Sequence, residues 1–339
     1  MTPYRISFWN VENLFAPEDF ADRPPELARK IGGDLRGWDE ALFRRKLSQL
    51  ATIVTALHDG AGPDILGVCE VENRFVLEEL AAAIMEMGGR TYAVAHADSE
   101  LERRGIDTAF IYDPAMFTVD EDLIFSHFVL RRTGTRDILQ ATFRTVAGND
   151  LIILCNHWPS RSGGAAESAG FRATAGETLA YWHGRIRQEV GDDAAIVALG
   201  DFNDDPFDPS IRFNALASRE REDIERSRSP RFYNLAWRYL RQMAINQAGD
   251  ERPIDGTLYF RGDGNVFDQI LISRPLLVAG GSFAVREETA RIDAAPAMVS
   301  TRVGSGPIRF GLPRGDVAGN VDQDGFSDHF PISVVIEEA

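Results

Sequence analysis

Lysine is almost missing from this chain of 339 residues: only Lys30 and Lys46 occur, and the other 34 basic residues are arginines. Arginine grips phosphate bidentately, but a bias running the whole length of a chain reflects genome composition more than function. Acidic residues outnumber basic ones 52 to 36, for a formal net charge of −16. That balance argues against a long basic track for a polyanion, while a metal ion and local arginines can still hold one phosphate. Cysteine is equally scarce. Cys69 and Cys155 each close an apolar run, where a buried thiol behaves as a small hydrophobe, so no disulfide is expected. No apolar run approaches the ~20 residues that span a bilayer. The start, Met1-Thr-Pro-Tyr-Arg5, shows none of the features of a signal peptide, so a cytosolic location is expected. Glycine-rich dinucleotide and P-loop fingerprints, HExxH and CxxC are all absent, which removes nucleotide folds of those kinds and the usual zinc spacings.

What is present is a soluble globular composition, 44% hydrophobic and 26% charged. No interdomain linker and no repeat interrupts it, so residues 1–339 are expected to form a single domain. Short apolar runs at Ile65–Cys69, Leu151–Cys155, Ala194–Leu199, Ile270–Ile272 and Ile332–Ile336 suit strands covered on both faces. Helical spacing relates Phe43, Leu47, Leu50, Val54 and Leu57. It also relates Leu77, Leu80, Ile84 and Met87 ahead of Gly88-Gly89, and Phe171, Ala175, Leu179, Trp182, Ile186 and Val190. Residues 144–151 read as a hairpin turn. Residues 16–38, 204–265 and 299–326 read as loops, either substrate-binding or plain surface.

Polar motifs sit at the ends of the apolar runs: Phe8-Trp-Asn10-Val-Glu12-Asn13, Cys69-Glu70-Val-Glu72-Asn73, Asn156-His157-Trp158, Gly200-Asp201-Phe-Asn203 and Ser327-Asp328-His329. Asn10, Glu70, Asn156-His157 and Asp201 follow their runs, whereas Asp268 and Asp328-His329 precede theirs. If all of them meet, the two groups of strands run in opposite directions, which calls for mixed or antiparallel sheets rather than a doubly wound parallel one. Carboxylates, amides and imidazoles gathered in this way suit phosphoester hydrolysis. Carboxylates hold a hard cation that neutralises phosphoryl charge, and a carboxylate or imidazole positions the attacking water. Mg²⁺ takes one or two protein carboxylates and keeps several waters, which fits Glu70 as a ligand with Asn10, Glu12 or Asp328 nearby.

On these motifs, in this order from Ser7 to Ser333, the chain resembles the endonuclease/exonuclease/phosphatase superfamily, and in wording its bacterial nuclease-like members. The resemblance implies a four-layered α/β sandwich, two packed mixed β-sheets flanked by helices, with Mg²⁺ or Mn²⁺ as cofactor. It implies Glu70 as principal metal ligand, with Asn10, Glu12 and Asp328 near the metal. Asp201 would orient or deprotonate the water and Asn203 would bind the phosphoryl group. His329, oriented and kept cationic by Asp268, would contact the phosphate, and His157 would contact it or move a proton. Asn156 belongs to the same substrate edge. For four residues two readings stand. Glu12 is a metal ligand or a local cap or salt bridge, and Arg161 is a phosphate clamp or an ordinary salt bridge. Arg104 and Asp107, in a segment common among bacterial members, reach the site or close an exposed hairpin. His58, His96, His127 and His183 are read as structural or solvated. The expected activity is a metal-dependent phosphodiesterase acting by direct water attack, with nucleic acid among the candidate substrates. A phosphomonoesterase or phospholipid- or inositol-phosphate-type hydrolase is the alternative, and a non-catalytic binding protein of the same fold is a third possibility.

Overall fold

The computed structural model describes residues 1–88, 90–98, 105–130, 135–302 and 304–339. Its strands assemble into two large mixed sheets. In the first, of six strands, the order is Phe283–Ile292, Ile332–Glu338, Thr2–Leu14, Ile65–Val71, Asp107–Tyr112 and Ala93–His96. Only the Thr2–Leu14 and Ile65–Val71 pair is parallel in it. The second, of eight strands, runs Ala217–Ser218, Phe232–Asn234, Asp268–Ser273, Ala195–Asp201, Asp150–His157, Ile138–Thr145 and Phe117–Val119, with Phe125–His127 also paired to the Ile138–Thr145 strand. The strand ending in Asp201 is parallel to the one ending in His157 and antiparallel to the one beginning at Asp268. The opposed directions inferred from the motifs are therefore present in both sheets.

The sheets pack face to face through a dry interior. Phe110 of the first sheet meets Phe143 of the second edge-on at 5.2 Å, and both are fully buried. At Gly67 a Cβ would come within 2.6 Å of Leu199 Cδ1 in the opposite sheet, so any larger residue would force Leu199 to shift. Helices Glu40–Gly60 and Arg74–Gly88 cover the outer face of the first sheet, and Ala165–Val190 covers the second. The order of layers is helix, sheet, sheet, helix.

The helix stripes follow the 3.6-residue spacing where they face a sheet. Phe43, Leu47, Leu50, Val54 and Leu57 are all buried, as are Leu77, Leu80 and Ile84. At helix ends the pattern runs past the sheet edge: Met87 is 46% exposed and Val190 59%. The 144–151 turn is a hairpin, with Gly148 at φ +89°. The 16–38 segment differs from the loop expected: Pro25–Leu35 is helical, started by a proline in its first turn and anchored by buried Ile31 and Leu35.

Candidate active site

Two sheets meeting at their ends gather the polar motifs. In the eight-stranded sheet His157 and Asp268 both stand in register with Asp201, so three neighbouring strands carry three functional groups in one row. The preceding row needs Gly200, where a Cβ would lie 2.2 Å from the Asn156 carbonyl oxygen. The six-stranded sheet supplies the facing half through two bulges. Glu12 and Asn13 both take φ of +53° where the first strand shifts register, and Glu70 takes +64° where Ile65–Val71 does the same. With Asn203 at +51°, four left-handed non-glycine residues cluster here. Each costs on the order of 1–3 kcal/mol, strain that such surroundings sustain where side chains must be aimed.

Asp201, 2% exposed, sits where these groups converge. Its Oδ2 accepts from Asn10 Nδ2 at 3.2 Å across the gap between the sheets, and its Oδ1 accepts from the Asn203 backbone N–H at 2.9 Å. His157 Nε2 lies 3.7 Å and His329 Nε2 3.9 Å from the same Oδ2. His157 Nε2 is also 3.7 Å from Glu70 Oε1, while Glu70 Oε2 accepts the Asn13 N–H at 3.0 Å. Asp268, fully buried, holds His329 Nδ1 at 2.7 Å. Ser327 ties the C-terminal motif to the first strand, its hydroxyl donating to the Asn10 carbonyl at 2.6 Å and accepting the His329 N–H at 3.1 Å.

Burial and crowding shape the charges. Asp201 is pushed up to about 6, chiefly by desolvation, with the His329 charge opposing and Asp268 and Glu70 adding to the rise. Asp328 is pushed up to about 7 by desolvation and by Glu12. For His329 desolvation disfavours the imidazolium, yet the hydrogen-bonded Asp268 and nearby Asp201 and Asp328 outweigh it and hold the ring well above the usual histidine range.

Several expected site residues take other positions. Asn156 is consumed structurally: its amide donates to the Leu154 and Leu199 carbonyls and its Oδ1 accepts from Trp158 Nε1. Arg161 is held by Asp204 at 2.7 Å and Asp208 at 2.5 Å and lies over Phe267, so of its two readings the salt bridge is the one formed. Glu12, 1% exposed, caps the 309–311 loop, accepting from Arg309 Nε at 2.8 Å, Phe310 N at 3.0 Å and Gly311 N at 3.3 Å. That is the local cap rather than a free ligand. Asp107 is buried and stands opposite Val71, next to Glu70 in its strand, with His96 Nε2 3.4 Å away. Arg104 lies outside the described residues.

Membership follows from sequence comparison. A profile of the Endonuclease/Exonuclease/phosphatase family matches residues 5–338. The chain belongs to this family. Solved structures share its fold over nearly their full length. A mannosyl-6-phosphatase from Bacteroides thetaiotaomicron is 15% identical with a TM-score of 0.55, covering 98% of this chain and 99% of that one. TDP2 of D. rerio humanized by 14 mutations is 13% identical with a TM-score of 0.54, covering 99% of both chains. The human Nocturnin catalytic domain is 16% identical with a TM-score of 0.50, covering 99% of this chain and 95% of that one. No curated protein matches the chain significantly.

A divalent ion fits the residues that this family member brings together. Glu70, Asn10 and Asp328 offer oxygen donors, and burial, which raises Asp201 and Asp328, leaves carboxylates that a bound cation would favour in their charged form. Among the described residues, three histidine or carboxylate ligand atoms lie within 4.8 Å of one another only at another place, around His96. Glu70, Asn10 and Asp328 are the kind of oxygen set that a hard cation retaining several waters takes.

Three cations at the site escaped the motif reading. Lys46, fully buried on the Glu40–Gly60 helix, donates to the Glu12 carbonyl and lies 5.5 Å over the Phe310 ring. Arg309 binds Glu12, and buried Arg136 donates to His157 Nε2 at 2.6 Å. A guanidinium only donates, so that nitrogen accepts. Lys46 did leave a trace in the sequence, as one of two lysines and as a charge within the apolar stripe between Phe43 and Leu50. Arg136 and Arg309 left none among so many arginines.

Proposed function

We propose that the chain is a divalent-metal-dependent phosphodiesterase of the nuclease-like kind, hydrolysing a P–O bond by direct attack of water. The observation that carries this is the convergence on Asp201 Oδ2 of Asn10, His157 and His329 from two sheets. The 3.9 Å gap between that carboxylate and His329 Nε2 leaves a position for an oxygen about 2.8 Å from each. Asp201, with its pKa lifted toward neutrality, is the base that takes the proton of the attacking water. His329, kept cationic by Asp268, donates to a phosphoryl oxygen. Arg136 holds His157 beside the same carboxylate, and Asn203, whose side-chain amide donates to the Trp158 carbonyl at 3.0 Å rather than standing ready for a phosphoryl oxygen, orients Asp201 through its backbone N–H. Glu70, with Asn10 and Asp328, would hold Mg²⁺ or Mn²⁺, which when bound supplies positive charge against the phosphoryl and leaving oxygens.

The net charge of −16 supports a second reading, a phosphomonoesterase on a small phosphorylated molecule. The likeness to a mannosyl-6-phosphatase agrees with it at the level of fold. Parallel assays on bis-p-nitrophenyl phosphate and p-nitrophenyl phosphate, with Mg²⁺, Mn²⁺ or EDTA, separate the two. Diester cleavage abolished by EDTA supports the first. Preference for the monoester replaces it with the second, and undiminished cleavage in EDTA refutes the metal dependence of both.

A further inference from the structure

His96 closes the strand Ala93–His96 at the edge of the six-stranded sheet, paired with Ala109 of the neighbouring strand that begins at Asp107. Its side chain is only 2% exposed, and the shielded Nε2 makes no hydrogen bond among the described residues. A buried ring nitrogen in that state costs about 1–3 kcal/mol unless something satisfies it. Two carboxylates approach the ring, one nearest each nitrogen. Asp107 Oδ2 lies 3.4 Å from Nε2, and Asp98 Oδ1 lies 3.9 Å from Nδ1. One ligand atom from each of the three residues falls within 4.8 Å of the others. The 3.4 Å spacing is longer than an ordinary N–H···O bond. It matches the edge of a coordination tetrahedron, about 3.4 Å for bonds of ~2.1 Å.

We propose that His96, Asp98 and Asp107 form a second cation site, separate from the Glu70 edge, that takes a borderline transition metal such as Zn²⁺. The donor chemistry sets the class. An imidazole selects zinc-like ions over Mg²⁺, whose preference is for oxygen alone. Burial of His96 and Asp107 fixes two ligands in advance, while Asp98, 84% exposed at its side chain, gives the ion a way in and leaves a coordination position to water. The location has a mechanical consequence. Asp107 stands in register with Val71, immediately after the left-handed Glu70, so an ion here fastens two strand ends beside the bulge that aims Glu70.

The test uses the full chain, stripped with chelator, and measures Zn²⁺ uptake by calorimetry and elemental analysis in excess Mg²⁺. Co²⁺ serves as a spectroscopic probe of tetrahedral coordination. The wild type should bind one Zn²⁺ under these conditions, and Glu70→Gln should still bind it. Asp98→Asn, a change at an exposed side chain that leaves folding intact, should weaken Zn²⁺ at least tenfold, and His96→Gln should abolish it together with the Co²⁺ bands. No Zn²⁺ in the wild type, loss of Zn²⁺ in Glu70→Gln, or wild-type affinity in Asp98→Asn would each overturn the proposal. The readout is binding rather than turnover, so its failure is distinct from a failure of the phosphodiesterase reading.

Discussion

Replacing Lys46 with methionine should unfold the site before it touches the chemistry. The ammonium is fully buried, donates to the Glu12 carbonyl and faces the charges of Glu12, Asp328 and Glu70. Burial lowers the Lys46 pKa from its ordinary value, with those three carboxylates opposing the shift. Methionine keeps the volume and the contact with Phe310 but leaves a buried carbonyl unsatisfied and several carboxylates uncompensated. Losing one member of such a cluster costs about 3–5 kcal/mol. In a chain of this size each kcal/mol corresponds to roughly 2 °C, so the melting temperature should fall by about 6–10 °C, measured in EDTA so that no added cation substitutes. The chain supplies its own control: exposed Lys30, changed to methionine, should alter stability by less than about 0.5 kcal/mol. Adding Glu12→Gln to Lys46→Met should cost less than the sum of the two single changes, by about 0.5–3 kcal/mol. A Lys46→Met protein melting within about 1 °C of wild type, or strict additivity in the cycle, would refute the view that Lys46 balances these carboxylates.

The other predictions concern turnover and acid stability. Asp201→Asn and His329→Ala should each lower kcat more than about a hundredfold with the circular dichroism spectrum unchanged, and near-wild-type rates would remove the assigned role. Asp268→Asn should lower kcat about ten- to a hundredfold with little change in KM, because it acts only through the ring of His329. Arg172, 2% exposed, pairs with Asp204 at 2.7 Å; Arg172→Met should destabilise by about 3 kcal/mol in urea titration. His183 stacks on Phe232 at 4.1 Å, and burial pushes its pKa down to about 3. Its folded-state pKa lies below the ordinary value of about 6.5, so its contribution is full above pH ~6.5 and is lost as pH falls toward 3, at up to about 1.4 kcal/mol per unit. His183→Phe should therefore lose about 2 kcal/mol less stability than wild type between pH 7.5 and 5, and equal losses would refute it.

The motif residues were legible because they are short side chains at strand ends, where sequence position fixes location. Which side of its strand each motif occupied gave the opposed strand directions, and Asp268 and Asp201 stand in register accordingly. Glu12 was readable as a metal ligand or a cap, but the groups it caps were not, since they lie about 300 residues away in a loop without periodicity. Asn156 and Arg161 carry residue types that suit phosphate, yet nearer groups satisfied them first: strand carbonyls for the amide, Asp204 and Asp208 for the guanidinium. Arg136 reaches the site from ahead of the Ile138–Thr145 strand on a long side chain whose direction no local pattern sets.

The pairing of Gly67 with Leu199 acts as a caliper. One half of the candidate active site belongs to each sheet, and the only direct bond from Asp201 across the gap that the structure records is the one from Asn10. The spacing between Asp201 and Asn10 is thus set by how closely two β-layers settle on their shared interior. A methyl group added at Gly67 would press on Leu199 and Phe8, so the cost of overpacking the shared interior and a shift of one sheet against the other would arrive together.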